Sequence, residues 1–158
     1  MVPSTKQRVP VHTAPSDNRS IQTSMEGRLS YFAAHPSKIA SRLEELDAEW
    51  DLERAIEMNA SALAFAGIAL GALHDKRWLI LPAAVTAFLF QHAVQGWCPP
   101  VPVLRKLGFR TVYEIDEERN ALKALRGDYA RVSRRRVTAK SSPAAKRRIA
   151  KAVKRAAA

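Results

Sequence analysis

The chain has 158 residues, 26% of them charged, with 26 Lys/Arg against 15 Asp/Glu and a formal net charge of +11. A mean hydropathy of −0.23 excludes an ordinary polytopic membrane protein, and a single cysteine, Cys98, excludes an internal disulfide framework. The charge is not spread evenly: up to residue 130 fifteen basic residues balance fifteen acids, and eleven basic residues with no acid follow.

Residues 1 to 30 are polar and dotted with proline, with scattered apolar side chains. A segment of that kind buries too little surface to offset its ordering entropy, so disorder is expected. It carries no apolar run suited to a cleaved signal, and Asp17 and Glu26 argue against a mitochondrial presequence. Membrane insertion is therefore expected to be directed by internal segments.

The spacing of Ile39, Leu43, Leu46 and Trp50 predicts an amphipathic helix over residues 37–54. Ser37 is positioned to cap it, and Lys38, Arg42, Glu44, Glu45, Asp47 and Glu49 occupy the other face. Such a helix either lies in a membrane interface or packs against a partner helix or a second copy of the chain.

Residues 55–110 read as a transmembrane helical hairpin, with spans at about 56–73 and 78–97. Met58 to Leu73 contains no charge, and the second span runs from Trp78 to Trp97. Those two tryptophans are nineteen residues apart, roughly 28 Å of helix, close to the ~30 Å hydrocarbon core of a bilayer. Tryptophan favours the headgroup level, so Trp78 and Trp97, with Arg54, are the expected interface anchors. Gly67 and Gly71, extended by Ala60 and Ala64, form a small-residue ridge for close helix contact, within the hairpin or between copies. The break His74-Asp75-Lys76-Arg77 is long enough to reverse the chain. Six Lys/Arg flank the spans on the side of the termini (Lys38, Arg42, Arg54, Arg105, Lys106, Arg110) against two, Lys76 and Arg77, in the loop. That asymmetry predicts both termini in the cytoplasm.

Pro99, Pro100 and Pro102 end the second span and predict an extended stretch. A cytoplasmic helix over 111–127 follows. Thr111-Val112-Tyr113-Glu114 has the form of a capping box, acids crowd the start, bases the end, and Gly127 is the expected terminator. Ile115, Leu122 and Leu125 give it an apolar stripe for the membrane surface or the preceding helix. The tail, 131–158, holds Arg131, Arg134, Arg135, Arg136, Lys140, Lys146, Arg147, Arg148, Lys151, Lys154 and Arg155. Anionic lipid headgroups are the economical partner for such a run beside a membrane. Nucleic acid is the rival, disfavoured because no aromatic residue is interleaved for base stacking.

The motifs Glu53-Arg54, Gly67 with Gly71, and Gly96-Trp97-Cys98-Pro99 followed by Leu104 and Gly108 resemble the YgaP-like transmembrane domain family over roughly residues 47 to 110. The stretch Leu125-Arg126-Gly127-Asp128-Tyr129 resembles an extension carried by one branch of that family. The resemblance implies a small bacterial inner-membrane protein with a two-helix hairpin. Some members are fused to a rhodanese domain that carries sulfane sulfur on a cysteine. No segment of that size and pattern is present here, so sulfurtransferase activity does not carry over.

Cys98 is the one intrinsically reactive residue. With Arg105 and Lys106 nearby it reads either as a low-pKa, sulfur-carrying thiol or as a small residue in a structural turn. Leu104 occupies the place where a phosphatase-type loop needs its arginine, which removes that reading. His92 and Cys98 lack further ligands for a metal site, and no cofactor motif is present. The fold expected is all-α: a membrane-spanning hairpin with flanking amphipathic helices and disordered termini. The function expected is a multi-pass inner-membrane, non-enzymatic scaffold or self-associating module, possible as a homo-oligomer. The alternatives are a thiol relay through Cys98 and a soluble nucleic-acid-binding protein whose apolar hairpin is core.

Overall fold

A computed structural model describes residues 3–129, and every regular element among them is helical. The described residues form six α-helices: α1 (Pro15–Ala34), α2 (Ile39–Ala48), α3 (Leu52–Leu73), α4 (Ile80–Gln95), α5 (Val101–Lys106) and α6 (Val112–Arg126), with short 3₁₀ turns at Pro10–His12, Pro36–Lys38 and Lys76–Leu79.

Two stretches, Pro36–Leu73 and Lys76–Gln95, contain helix long and apolar enough to cross a membrane. Asp51 caps α3 by accepting from the Arg54 amide at 2.7 Å. At the far end Asp75 accepts from the Arg77 amide at 2.8 Å and starts the turn that leads into α4. Helices α3 and α4 then pack along each other. A Cβ built on Gly67 would stand 2.5 Å from Pro82 Cδ, and one on Gly71 2.6 Å from Leu79 Cδ2. Both glycines are buried, and the contact they make is within the chain; Ala60 and Ala64 are half-buried on the same helix.

The other helices gather at the opposite end from the 74–79 turn, around two apolar clusters. Ile39, Leu43 and Leu46 of α2 meet Ile115 and Leu122 of α6, with Leu29 and Phe32 of α1 packed against them. Val9, Leu52, Ile56, Cys98 and Val101 form the second, with Leu104 and Phe109 beside them. Fully burying one such aliphatic side chain contributes about 1.5–3 kcal/mol, so these clusters fix the base from which α3 and α4 project.

Four expectations are corrected here. Residues 1 to 30 are not a featureless segment: α1 is a 20-residue helix. Its stripe of Ile21, Met25, Leu29 and Phe32 is too thin to stand alone; Leu29 and Phe32 pack on the α2–α6 cluster, and the helix also contacts α5. The single helix expected over 37–54 is two. α2 stops at Ala48, the chain is extended at Glu49, and α3 begins afresh. Ser37 lies inside the preceding 3₁₀ turn and provides no cap, and α2 packs on α6 of its own chain. The proline-rich stretch is the short helix α5, because prolines at its first turn need no N–H donor there. The α6 stripe faces inward through Ile115 and Leu122, whereas Leu125 is 48% exposed. The basic tail lies outside the described residues, as do its expected contacts through Arg134, Arg135, Arg136, Lys146, Arg147, Arg148, Lys151, Lys154 and Arg155.

Candidate functional site

Three cavities and one ion-pair network lie in the helical base and along the α3–α4 pair. The network centres on Glu118 of α6, which is 0% exposed. Arg28 of α1 donates from Nε to both carboxylate oxygens at 3.1 Å and from Nη2 at 2.9 Å. Arg42 of α2 donates at 3.0 Å, and Arg110, ahead of α6, at 2.5 Å. Glu49 takes two further bonds from Arg110, at 2.8 and 2.6 Å. Burial pushes the Glu118 carboxyl up, but the hydrogen bonds from Arg28, Arg42 and Arg110 outweigh it and hold the group at about 2. The network therefore ties α1, α2 and α6 into one body. A cavity of about 360 Å³ opens beside it, but the arginine groups there are already engaged by Glu49 and Glu118.

Arg105 has the same structural character. Its side chain is fully buried and donates to both oxygens of Glu114 at 2.6 and 2.8 Å, to Asn18 Oδ1 at 2.9 Å and to the Phe109 carbonyl at 3.1 Å. Glu114 also completes the capping box with Thr111. Arg105 is thus committed to α6 and α1, not to the thiol it follows in sequence.

Cys98 is 2% exposed inside the Val9–Leu52–Ile56–Val101 cluster. Burial pushes its thiol up, with only a partial offset from the Val101 backbone. That corrects the low-pKa environment expected from Arg105 and Lys106. An apolar cavity of about 240 Å³ between α3 and α4 borders it, walled by Ala60, Leu63, Val85 and Phe88 with Pro99 and Pro100 at one end.

The last cavity, about 190 Å³, is polar. Glu53 and Glu57, one turn apart on α3, face His92 near the end of α4, and Arg8 arrives from the N-terminal segment. Gly96 makes this approach possible. It ends α4 at φ 81°, and a side chain there would overlap the Arg8 backbone. Arg8 donates to the Ala93 carbonyl at 2.9 Å and to that of His92 at 3.5 Å, and stands 3.8 Å from Glu53. His92 is 5% exposed, and neither ring nitrogen has a partner; Glu53 Oε2 is likewise buried without one. Burial pushes the Glu53 carboxyl up and repulsion from Asp51 adds to it, while the backbone amides of Glu53 and Val112 and the charge of Arg8 oppose the shift.

The expected anchors sit at the two ends of the pair. Trp78 lies in the 3₁₀ turn and is 43% exposed, and Trp97, half-buried, follows the α4 cap. The Arg54 guanidinium lies 4.5 Å over the Trp50 ring. Sequence reasoning missed Arg8, Arg28, Arg110 and Glu118 as partners, and missed the meeting of Glu53 with His92. Arg8 and Arg28 fall in the stretch expected to be disordered, and no local spacing links residues 8, 53 and 92. Among the described residues no group of His, Cys, Asp and Glu is arranged to hold a metal ion. No family model, curated protein or solved structure matches this chain.

Proposed function

We propose that this chain is a small integral membrane protein in which α3 and α4 form an antiparallel transmembrane hairpin. The helical base and both termini lie in the cytoplasm, and the work is non-enzymatic scaffolding or self-association. The observation that carries this reading is where the apolar surface lies. Phe65 is 75% exposed, Leu73 88%, Ile80 76% and Phe90 72%. Only 11% and 6% of the most apolar windows of the two candidate spans are buried. A water-soluble protein that used these helices as core would bury them; lipid is the solvent that fits. Among the described residues, both buried clusters and the ion pairs of Glu114 and Glu118 sit at the other end of the pair.

The likeness to the YgaP-like domain belongs to this proposal and rests on Glu53-Arg54, the two glycines and the Gly96–Pro99 stretch. So does placement in a bacterial inner membrane, with the loop Lys76 and Arg77 outside. In this reading the basic tail holds the cytoplasmic base against anionic headgroups. A thiol relay through Cys98 draws no support from its apolar, sealed surroundings. Alkaline carbonate extraction tests membrane integration: the protein stays in the pellet, and release into the supernatant sinks the reading. Single cysteines placed on a Cys98→Ser background test the topology. Position 75 should label only from the periplasmic side, and cytoplasmic labelling there overturns the orientation.

A further inference from the structure

We propose that the helical base is seated in the headgroup boundary of the bilayer through an apolar collar around the mouth of α3. Trp50, Val103, Leu107 and Val112 form the collar, and its partner is the lipid surface.

The collar rests on the membrane reading above and adds to it the level at which the base stands. Leu73 and Arg54 are nineteen residues apart on α3. That is roughly 28 Å of helix, so a hydrocarbon core of ~30 Å that begins at the 74–79 turn ends at the first turn of α3. Three segments of the base meet around that turn. Helix α5 packs on it through Val101, which shares a buried cluster with Leu52 and Ile56. The stretch ahead of α6 is bonded to it, since the Leu52 amide donates to the Arg110 carbonyl at 2.8 Å and the Val112 amide to the Glu53 carboxylate. The link between α2 and α3 carries Trp50, whose ring lies under the Arg54 guanidinium.

Each of these segments turns a large apolar side chain outward. In α5, Val101 and Arg105 are buried four residues apart on the inner face. Val103 and Leu107 are offset from them by two residues, which puts them on the opposite face, and they are 61% and 71% exposed. Trp50 and Val112 are exposed as well. Single exposed aliphatic residues are ordinary on protein surfaces. These four belong to segments that converge on one turn of one helix, at the depth where lipid begins, and together they mark an interaction surface. The polar residues beside them identify the partner. Arg54 and Lys106 are exposed, while the acids of the same turn, Glu53 and Glu57, line the Arg8 cavity. Aliphatic groups reaching toward the acyl boundary, cations at the phosphates and a tryptophan with its N–H in the wet layer are the composition of a membrane interface. Interfacial anchors set the depth and tilt of a span, so the collar holds the body of α1, α2 and α6 close against the membrane at a fixed angle.

The test uses the full chain in phospholipid nanodiscs, with one nitroxide label per protein on a Cys98→Ser background. Val103→Cys, Leu107→Cys and Val112→Cys report the collar. Phe65→Cys, on the exposed face of α3, reports the hairpin, and Glu44→Cys, on the charged outer face of α2, reports water. All five sites are exposed, and melting temperatures in detergent matching the Cys98→Ser protein verify that the fold is kept. Collision with oxygen, which concentrates in lipid, is compared with collision with a water-soluble nickel chelate. At 103, 107 and 112 the nickel rate should fall severalfold below that at 44 while the oxygen rate does not fall, as for side chains lodged between headgroups and acyl chains. Nickel rates at 103 and 107 equal to that at 44 place this face in water and overturn the collar. Low rates for both reagents mean cover by protein, a second copy or another partner, and overturn it too. A nickel rate at 65 as high as at 44 refutes the membrane reading itself and the collar with it, a pattern distinct from failure of the collar alone.

Discussion

Replacing Glu118 by Gln tests the reading of the base as one body. Gln matches the protonated carboxyl in shape, so the substitution removes the charge and little else. In the native protein the group sits at about 2 against an ordinary 4.5. At about 1.4 kcal/mol per unit, that depression corresponds to about 3 kcal/mol of stability at neutral pH. The penalty for stripping one partner from a buried ion cluster, about 3–5 kcal/mol, is of the same size. For a chain of this length a loss of 3 kcal/mol lowers Tm by roughly 6–12 °C. The sign is fixed by the direction of the shift. Because the folded pKa is depressed, the stabilisation is complete above the unfolded value and drains away as pH falls from about 4.5 toward about 2. The Tm difference between wild type and Glu118→Gln, followed by thermal melts in detergent, should therefore be largest at pH 7 and shrink toward zero in acid. Comparing the two proteins at each pH cancels the contributions of every other carboxylate. A difference below about 1 kcal/mol at pH 7, or one that does not shrink in acid, refutes the claim that Glu118 holds Arg28, Arg42 and Arg110 together.

Gly71→Leu, alone or with Gly67→Leu, should destabilise the α3–α4 contact by about 1–3 kcal/mol, since even a Cβ at these positions overlaps Leu79 or Pro82; an unchanged melting temperature in detergent places the ridge against lipid instead. Cys98 should resist maleimide in the folded protein and react readily after denaturation, because it is buried and its thiol is pushed up; rapid labelling of native protein at neutral pH contradicts that burial. Gly96→Ala should loosen the N-terminal segment, because it needs a positive φ and a Cβ there overlaps Arg8; faster proteolysis within the first dozen residues is the readout. A peptide of residues 131–158 should bind anionic vesicles and release with added salt as the Debye length falls from about 10 Å at 0.1 M toward 3 Å at 1 M; if duplex DNA at equal charge strips it from them at physiological salt, nucleic acid is the better partner.

The sequence by itself determined the features whose cause is local. The lengths of the apolar runs, the chain reversal at His74-Asp75-Lys76-Arg77, the Thr111–Glu114 capping box and the Gly127 stop all act within a few residues, and each was legible as spacing or composition, whereas the Asp51 cap that splits α2 from α3 was not. The closeness of Gly67 and Gly71 to a neighbouring helix was legible too, although not which helix. What tertiary structure decided is everything that depends on long-range pairing. The Ile21–Met25–Leu29–Phe32 stripe is too sparse to order a helix alone; Leu29 and Phe32 pack on the α2–α6 cluster, and α1 also contacts α5. Charged residues that look like a solvated face or a topology signal, Arg42, Arg105 and Arg110, are drawn into buried ion pairs once α6 supplies Glu114 and Glu118. Cys98 changes character for the same reason: basic neighbours in sequence suggest a thiolate, whereas Val9, Leu52 and Val101 enclose it in space. Electrostatics and burial are functions of distance in three dimensions, and the groups that settle them for Cys98, Glu118 and His92 come from segments that no local pattern connects.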